Sequence, residues 1–273
     1  MIKDLIDLAL KEDCPDVDLT SRYFVPENGP GTAAIIAKES GIFFGSDVLH
    51  TLFKDTHLFK SDGSEVTPGD KICEIRDSAH NLLLGERVLL NLVQHLSGIS
   101  TLTSQFVQRL NNPNIKILDT RKTTPLWRSL EKQAVVAGGG HNHRHSLSDM
   151  VLIKENHLTA FLKTHTASEL PKFFQKFKLE HPTIPIEIEI ESMQQLDEFD
   201  LRLVDYILLD NFALAEISAA IEKCKKYSAE IEISGNITLD NIHHYSHLEI
   251  HRISVGQLTH SARALDLSMV FTL

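Results

Sequence analysis

The densest group of potentially reactive side chains in the sequence is DTRKTTP, residues 119–125. Asp119 ends the apolar segment IKILD, and Arg121 and Lys122 follow almost at once. An arginine guanidinium offers a planar pair of donors to a carboxylate or phosphate, and a lysine offers a mobile point charge. The segment therefore favours binding of an anion, although a solvated basic turn would have the same composition.

A second polar segment covers residues 134–157, with the sequence AVVAGGGHNHRHSLSDMVLIKENH. Three histidines alternate in it, at His141, His143 and His145. Alternating imidazoles could share a zinc ion, but no cysteine or suitably spaced acid completes the set, and Arg144 would place a positive charge beside the metal. We therefore interpret His143, Arg144 and Lys154 as further cationic and hydrogen-bonding groups of an anion site.

Carboxylates recur where apolar segments end. The segment IPIEIEIE, residues 184–191, alternates isoleucine with Glu187, Glu189 and Glu191, which predicts one acidic face. If that face points into a barrel, cations of the site or a divalent ion must offset it, because unpaired buried carboxylates are costly. An edge strand with one wet face is the alternative. Asp210 ends the next such segment, YILLD, and acidic oxygens suit magnesium and ribose hydroxyls.

Two glycine-containing segments occur near the C-terminus, EISGN at 232–236 and SVGQLTH at 254–260. Each predicts a strand, then a glycine, then the start of a helix. This arrangement directs backbone N–H groups outward and is suited to phosphate. Barrels of the TIM type often bind phosphate at their last two strand-to-helix loops.

The elements that must position these groups are short apolar strands with helical stretches between them. The predicted strands cover residues 115–119, 150–154, 184–191, 206–210, 229–234 and 251–256. Repeated β-loop-α units favour an α/β barrel or an open α/β sheet, in which ligands bind at the carboxyl ends of the strands. A charged or polar group recurs at that position in every unit, which favours one composite site.

The first third of the chain has a different pattern. A short amphipathic helix is predicted to end near Glu12, followed by a loop rich in Asp and Pro. Three β-like segments follow, TAAIIAK, GIFFG and KICEIR. A long helix is then predicted over 81–110, with Ser97-Gly98 indicating a kink or a close approach of another segment.

Composition excludes several classes of protein. The chain has 273 residues and a formal charge of −10, which disfavours a nucleic-acid or anionic-membrane partner. No apolar segment is long enough to cross a bilayer, and the charged N-terminus does not resemble a signal peptide. Three widely spaced cysteines in no metal pattern indicate a reducing compartment, and we predict a cytoplasmic protein.

Together these segments resemble the quinolinate phosphoribosyltransferase family over almost the whole chain. ERVLLNLVQHLSGIST at 86–101 and TRKTTP at 120–125 are the most specific matches. The resemblance implies an α/β fold with an N-terminal α/β sandwich domain over 1–110 and an irregular, TIM-like α/β barrel over 111–273. The final helix of the barrel domain would return to the first domain.

The resemblance also implies an activity. The enzyme would transfer the phosphoribosyl group of phosphoribosyl pyrophosphate to quinolinate with Mg²⁺ as cofactor. It would release pyrophosphate and carbon dioxide and form nicotinate mononucleotide for NAD biosynthesis. It would be a homodimer, or a larger assembly of dimers, with active sites shared across the interface.

Residue roles follow from the same resemblance. Quinolinate would be bound by Arg121, His143, Arg144 and Lys154, with Arg87 from the neighbouring subunit. Lys122 would lie near the diphosphate and act in catalysis with Glu189 and Asp210, which would also hold the ribose and the metal. The 5′-phosphate would be bound by Ser234, Gly235, Asn236, Gly256 and Gln257.

Four positions depart from the family pattern, at Val17, Trp127, Glu155 and Gln257. Val17 and Trp127 concern local loop geometry, and none of the four removes a charged residue of the site. Two other functions are compatible with the sequence: a related phosphoribosyltransferase for another base, such as the one associated with molybdenum-transport operons, or a non-catalytic barrel that senses a phosphosugar. The set of arginines with Lys154 favours a dicarboxylate substrate, and a sensor would have no use for Lys122 beside Glu189 and Asp210.

Overall fold

The computed structural model describes residues 2–26 and 29–272, and within them the chain folds into two compact units. The first takes in the described residues up to 104, residues 123–139 and the segment from 258 onward. The second takes in residues 105–122 and 140–257.

The described helices are α1 (Ile2–Asp13), α2 (Leu19–Phe24), α3 (Ser46–Leu52), α4 (Ala79–Leu110), α5 (Arg128–Ala137), α6 (Glu155–Phe161), α7 (Leu170–Glu180), α8 (Met193–Glu198), α9 (Leu214–Cys224) and α10 (Gln257–His260). The strands are β1 (Pro30–Ala37), β2 (Gly41–Ile42), β3 (Asp55–Leu58), β4 (Glu65–Val66), β5 (Lys71–Ser78), β6 (Lys116–Leu118), β7 (Val151–Ile153), β8 (Ile186–Ile190), β9 (Tyr206–Asp210), β10 (Glu230–Ser234), β11 (Arg252–Ser254) and β12 (Leu267–Thr272). Short 3₁₀ helices cover Ala167–Glu169 and Ile242–Tyr245. No helix in the described part of the chain is both long and apolar enough to span a bilayer.

The first unit is built on a four-stranded antiparallel sheet in the order β12-β1-β5-β3. Along β1, every second side chain is buried, including Ala33, Ile35 and Ala37, because alternate residues of a strand face the same side. Gly98 in α4 allows a close approach: a Cβ there would lie 2.2 Å from the carbonyl oxygen of Arg263. Of the two sequence interpretations of Ser97-Gly98, the close approach is confirmed.

The second unit is built on a six-stranded parallel sheet in the order β6-β11-β10-β9-β8-β7. Its strands fall within the six predicted segments, and helices or short helical turns lie between most of them. The core strand positions carry branched apolar residues such as Ile188, Ile207 and Ile233, all of them buried. The predicted α/β class, with a parallel barrel-like second part, is confirmed, and the carboxyl ends of all six strands lie at one edge.

The C-terminal segment differs from the prediction, because it ends in a strand and not in a helix. β12 pairs antiparallel with β1, from Thr32 opposite Thr272 to Ala37 opposite Leu267. Leu267 and Met269 are buried, whereas Ser268 between them is less buried and Val270 after them is exposed, which is the two-residue period of a strand. The last residues do pack with the first unit, but as part of its sheet.

The boundary between the units also differs from the predicted division after residue 110. Residues 123–139, which contain α5, pack with the first unit. The hydroxyl of Ser100 donates to the carbonyl of Ala134 at 2.7 Å. A Cβ at Gly138 would lie 2.3 Å from the carbonyl oxygen of Ser100, so the backbones touch. Small residues on both segments make this packing possible.

The Asp-rich segment predicted as a loop contains the short helix α2. Asp18 caps its N-terminus, because the carboxylate accepts the backbone N–H groups of Thr20 and Ser21 at 3.0 and 3.1 Å. Aspartate is a favoured N-cap residue, and the loop prediction did not take this local signal at Asp18 into account.

Candidate active site

Two basic loops of the second unit come together beyond β6. Asp119 is fully buried, and its Oδ1 accepts the backbone N–H of His143 at 2.9 Å. This contact holds the loop of Arg144 near the loop of Arg121. Partial burial, and then the positive charge of Arg121, lower the pKa of Arg144. Two positively charged guanidinium groups held this close together are typical of an anion-binding site.

Lys154 joins this basic group to an acidic one. It directly follows β7 and is the N-cap residue of α6. Its ammonium forms an ion pair with Glu189 on the neighbouring strand β8. The Lys154 side chain is about half exposed and that of Glu189 is almost fully buried. The pair therefore lies at the carboxyl edge of the sheet, with its positive end toward solvent.

Three carboxylates form the acidic cluster, Glu189, Glu191 and Asp210. Each places an oxygen within 4.8 Å of an oxygen of the other two. Desolvation, and then the negative charges of Glu189, Glu155 and Asp210, raise the pKa of Glu191. Glu189 and Asp210 were predicted as metal ligands, and Glu191 is a third carboxylate that the prediction did not include. An all-oxygen group of this kind suits a hard divalent cation.

The predicted phosphate loop directly after β10 has an uncommon backbone conformation. Gly235 has a φ of +92° and Asn236 a φ of +53°, so two successive residues are left-handed. Turns of this kind present successive backbone N–H groups to an anion. The hydroxyl of Ser234 donates to Oδ1 of Asp210, which attaches this loop to the acidic cluster.

The helices predicted after the two glycines are only partly present. No helix of the described chain begins directly after Gly235, and the next helical residues are the 3₁₀ turn Ile242–Tyr245. After β11, by contrast, Gly256 leads into Gln257, which begins the short helix α10 as predicted. The left-handed backbone at Asn236 explains the difference, because it turns the chain out of a helical path.

Nearer the amino ends of the same strands lies a buried ionic cluster of His143, Glu187, Glu232 and Arg252, here called the interior cluster. His143 Nε2 lies 3.0 Å from Glu187 Oε2 and 3.4 Å from Glu232 Oε1. Arg252 Nη2 lies 2.6 Å from Glu232 Oε2 and 3.2 Å from Glu187 Oε1. Both glutamates are fully buried, and Tyr206 covers the guanidinium with its ring centroid 3.6 Å from Cζ.

The two glutamates control the protonation of His143. Burial alone would lower its pKa, but the contacts with Glu187 and Glu232 outweigh burial and raise the pKa of His143 to about 9. The backbone N–H of Arg144 donates to Nδ1 at 2.8 Å, so protonation of the ring requires that contact to open. Both ring nitrogens have partners in the protein, and contact of His143 with quinolinate stays a prediction.

The pKa values of the glutamates move apart. Burial, and then the charge of Glu232, raise the pKa of Glu187. Burial acts the same way on Glu232, but its contacts with His143 and Arg252 outweigh burial and lower its pKa. His143 and these glutamates are close enough together to hold a metal ion. Arg252 already lies between the carboxylates, however, and supplies the positive charge that a metal would bring.

The remaining predicted residues lie apart from this cluster. Lys122 is exposed in the loop after β6, where its backbone N–H donates to Thr120 Oγ1 at 3.0 Å. Arg87 is exposed on α4 in the first unit. His141 and His145 are exposed, so of the three alternating histidines only His143 enters the interior of the second unit.

Arg252 is a buried charged residue that sequence reasoning missed. It lies in β11 directly opposite Glu232 in β10, and Glu187 in β8 lies opposite Tyr206 in β9. One signal could have identified it: an arginine within an apolar strand requires a buried counter-charge, and the neighbouring strands supply glutamates.

Comparison with protein families identifies the chain by both of its halves. Residues 18–97 match the model described as "Quinolinate phosphoribosyl transferase, N-terminal domain". Residues 99–270 match the model described as "Quinolinate phosphoribosyl transferase, C-terminal domain".

Individual proteins match over nearly their full lengths. A Bacillus subtilis (strain 168) protein named as a probable carboxylating nicotinate-nucleotide pyrophosphorylase is 39% identical, over 100% of this chain and 94% of that protein. The Homo sapiens carboxylating nicotinate-nucleotide pyrophosphorylase is 34% identical, over 97% of this chain and 90% of that protein. The crystal structure of NadC from Streptococcus pyogenes superposes with a TM-score of 0.90 and 36% identity, over 99% of this chain and 97% of that one.

Proposed function

Because the chain belongs to the quinolinate phosphoribosyltransferase family, we propose a reaction in which its basic and acidic clusters bind quinolinate and phosphoribosyl pyrophosphate side by side. The chain is a carboxylating nicotinate-nucleotide pyrophosphorylase and acts in NAD biosynthesis. The observation that carries the proposal is the Lys154–Glu189 ion pair, because it joins a cationic pocket to an acidic cluster at one edge of the sheet.

The cationic pocket, formed by Arg121, Arg144 and Lys154, matches the charge of quinolinate, which is a dianion. Arg121 and Arg144 lie close enough that one lowers the pKa of the other, and a dicarboxylate would neutralise both. Lys154 adds a third positive charge at the border with the acidic cluster. A substrate with a single carboxylate would leave part of this charge unmatched.

The chemical steps follow from the charges. The pyridine nitrogen forms a bond to C1 of the ribose as the C1–O bond to pyrophosphate breaks, and the leaving group takes the electron pair. Positive charge develops on the ribose, next to the carboxylates of Glu189 and Asp210, which stabilise it. In the resulting pyridinium the bond from C2 to its carboxylate breaks, carbon dioxide leaves, and C2 takes up a proton.

The phosphate loop and Lys122 hold the other substrate. We assign the 5′-phosphate to the backbone of Ser234, Gly235 and Asn236, because that backbone is left-handed at two successive residues. Gly256 and Gln257, at the start of α10, complete this assignment. Lys122 follows the anion pocket directly in sequence, which supports its assignment to the diphosphate.

The acidic cluster suits Mg²⁺ as the cofactor. Three carboxylates with oxygens within 4.8 Å of one another provide the hard donors that magnesium prefers. Desolvation, and then the neighbouring negative charges, raise the pKa of Glu191. Glu189 and Asp210 would hold the ion, with Glu191 as a third ligand. When bound, the ion would supply positive charge to the leaving pyrophosphate.

A direct assay tests the function. Mixing the protein with quinolinate, phosphoribosyl pyrophosphate and MgCl₂ should lower the absorbance of quinolinate and release one carbon dioxide per quinolinate consumed. Omitting phosphoribosyl pyrophosphate is the control, and nicotinate in place of quinolinate tests the need for two carboxylates. Consumption of nicotinate but not quinolinate would contradict the proposal.

Glu189→Gln and Asp210→Asn should each lower kcat about tenfold or more, the scale of losing one charged interaction. The loss should appear mainly in kcat, because these charges act most strongly as positive charge develops on the ribose. Both variants should also require more magnesium for half-maximal rate. Glu198→Gln, which changes an exposed carboxylate at the end of α8, is the matched control. Wild-type kcat in both variants would refute the assigned role.

We also propose a homodimer in which Arg87 completes the quinolinate site of the neighbouring subunit. Arg87 is exposed on α4, in the first unit, whereas Arg121 and Lys154 belong to the second. The family resemblance supports a site shared between subunits. Each dimer would then have two sites, each combining Arg87 of one chain with Lys154 of the other.

Mixed dimers test the shared site. Arg87→Ala and Lys154→Ala proteins, each impaired alone, are dissociated, mixed equally and reassembled. A mixed dimer places both changes in one site and leaves the other intact, so activity should return to roughly a quarter of wild type with random pairing. A mixture as impaired as its parents, with exchange shown by an affinity tag, would contradict sharing while leaving the enzyme assignment in place.

A further inference from the structure

Asn211 contacts both the acidic cluster and the phosphate loop. Its Nδ2 donates to Asp210 Oδ2 at 2.6 Å, and its Oδ1 accepts from Asn236 Nδ2 at 3.0 Å. Its backbone N–H donates to the carbonyl of Ser234 at 3.0 Å. One short side chain therefore connects the end of β9 to the loop after β10.

The two segments touch at this point. Asn211 has a left-handed backbone, with a φ of +56°, which asparagine tolerates better than most side chains. A Cβ on Gly235 would lie 2.2 Å from Asn211 Oδ1 and 2.7 Å from its backbone nitrogen. The loop can approach this closely only because residue 235 has no side chain.

The hydrogen bonds form a closed ring. Asp210 Oδ1 accepts from the hydroxyl of Ser234, and Oδ2 accepts from Asn211, which is bonded in turn to Asn236. Each carboxylate oxygen is thus tied to the phosphate loop, one directly and one through Asn211. The carboxylate cannot rotate or move relative to the loop without breaking one of these bonds.

We propose that Asn211 is a positioning residue that sets the spacing between the ribose-binding carboxylate of Asp210 and the loop that binds the 5′-phosphate. The inference rests on the proposed function, which places the two ends of one phosphoribosyl group at these two sites. A sugar ring separates its hydroxyls from its phosphate by a nearly constant distance. A site that is already spaced to match loses less free energy in ordering when the substrate binds.

Asn211→Gly removes the amide and keeps the turn, because glycine adopts positive φ without strain. We expect ribose 5-phosphate, which uses both sites, to bind about tenfold more weakly, the scale of losing a hydrogen bond to a charged group. Inorganic phosphate, which uses the loop alone, should bind nearly as in the wild type. Titration calorimetry with the two probes measures both affinities.

Asn111→Gly is the matched control. Asn111 is also left-handed, with a φ of +50°, but it directly follows α4 and is exposed. It should leave both affinities unchanged. Asn211→Asp keeps the acceptor but loses the donor to Asp210, so it should weaken the binding of ribose 5-phosphate at least as much as Asn211→Gly does.

In steady-state kinetics, Asn211→Gly should raise the KM for phosphoribosyl pyrophosphate and leave the KM for quinolinate near wild type. If Asn211→Gly weakens the binding of ribose 5-phosphate and of phosphate equally, the spacing role is overturned, because Asn211 then only supports the loop. Unchanged affinity for ribose 5-phosphate would overturn it as well. A wild-type protein that binds phosphate but not ribose 5-phosphate would contradict the proposed function itself, and the two failures are thereby distinguished.

Discussion

Replacing Arg121 with alanine is expected to raise the KM for quinolinate at least 30-fold, since removing one partner of a desolvated charge pair costs about 2–5 kcal/mol. The KM for phosphoribosyl pyrophosphate should change much less, because Arg121 belongs to the cationic pocket, which is assigned to quinolinate. The KM of Arg121→Lys for quinolinate should lie between those of the wild type and Arg121→Ala, since lysine keeps the charge but loses the planar pair of donors. Arg202→Ala, at an exposed arginine paired with Asp200, is the control.

Lys154→Ala should weaken quinolinate binding about as much as Arg121→Ala, and it should also change the affinity for magnesium. It leaves the nearly buried Glu189 without its cation, so magnesium should bind the variant more tightly than the wild type. Varying each substrate and magnesium in turn separates these effects. Near-normal quinolinate KM in both the Arg121 and the Lys154 variants would remove the basis for the pocket assignment.

Replacing Arg252 with methionine is expected to destabilise the fold by about 3–5 kcal/mol, the usual effect of removing one partner from a buried ionic group. For a chain of this size the melting temperature should fall on the order of 10 °C. The reason is charge: without Arg252, the fully buried Glu187 and Glu232 lose one of the two cationic side chains, Arg252 and His143, that contact them both. Arg202→Met, at an exposed ion pair, should change the melting temperature little.

The effect of Arg252→Met should depend on pH with a defined sign. The pKa of His143 is raised in the folded protein to about 9, so its stabilising charge is fully present below its unfolded value and is lost as the pH rises through 9. The variant should therefore lose most stability at high pH, where neither cation remains. Differential scanning fluorimetry at several pH values measures this.

A second change separates charge from packing in the interior cluster. Arg252→Met with Glu232→Gln removes one positive and one negative charge, and should recover part of the lost stability. No recovery, together with an equal loss at low and high pH, would show that Arg252 stabilises the fold through packing against Tyr206 and not through its charge.

The sequence predicted the parts of the site that depend on strand ends. Asp210 and Glu189 belong to apolar strands of clear period, so their place at the carboxyl edge follows from the parallel topology. Lys154 was predicted at the same edge for the same reason, and it lies there beside Glu189. Local pattern and one topological rule were enough for these residues.

Other features depend on which strands become neighbours, and a single strand does not show this. The role of Arg252 requires β10 to lie beside β11, with Glu232 opposite it. The family resemblance places residues 123–139 in the barrel domain, but their small residues pack against α4 in the first unit. The family resemblance implies a final helix and not the strand β12, in which Leu267 and Met269 alternate with less buried neighbours.

The pairing of β1 with β12 has a consequence for the order in which the protein can fold during synthesis. Thr32 and Thr272 are neighbours in one sheet but lie far apart in sequence, so β1 is synthesised long before β12. Until β12 leaves the ribosome, β1 has β5 on one side and an unpaired edge on the other. Contacts between residues so far apart in sequence form slowly, because the conformational entropy of the intervening chain must be lost before the contacts form. The sheet of the first unit, which contains both β1 and β12, can therefore be completed only after the second unit has been synthesised.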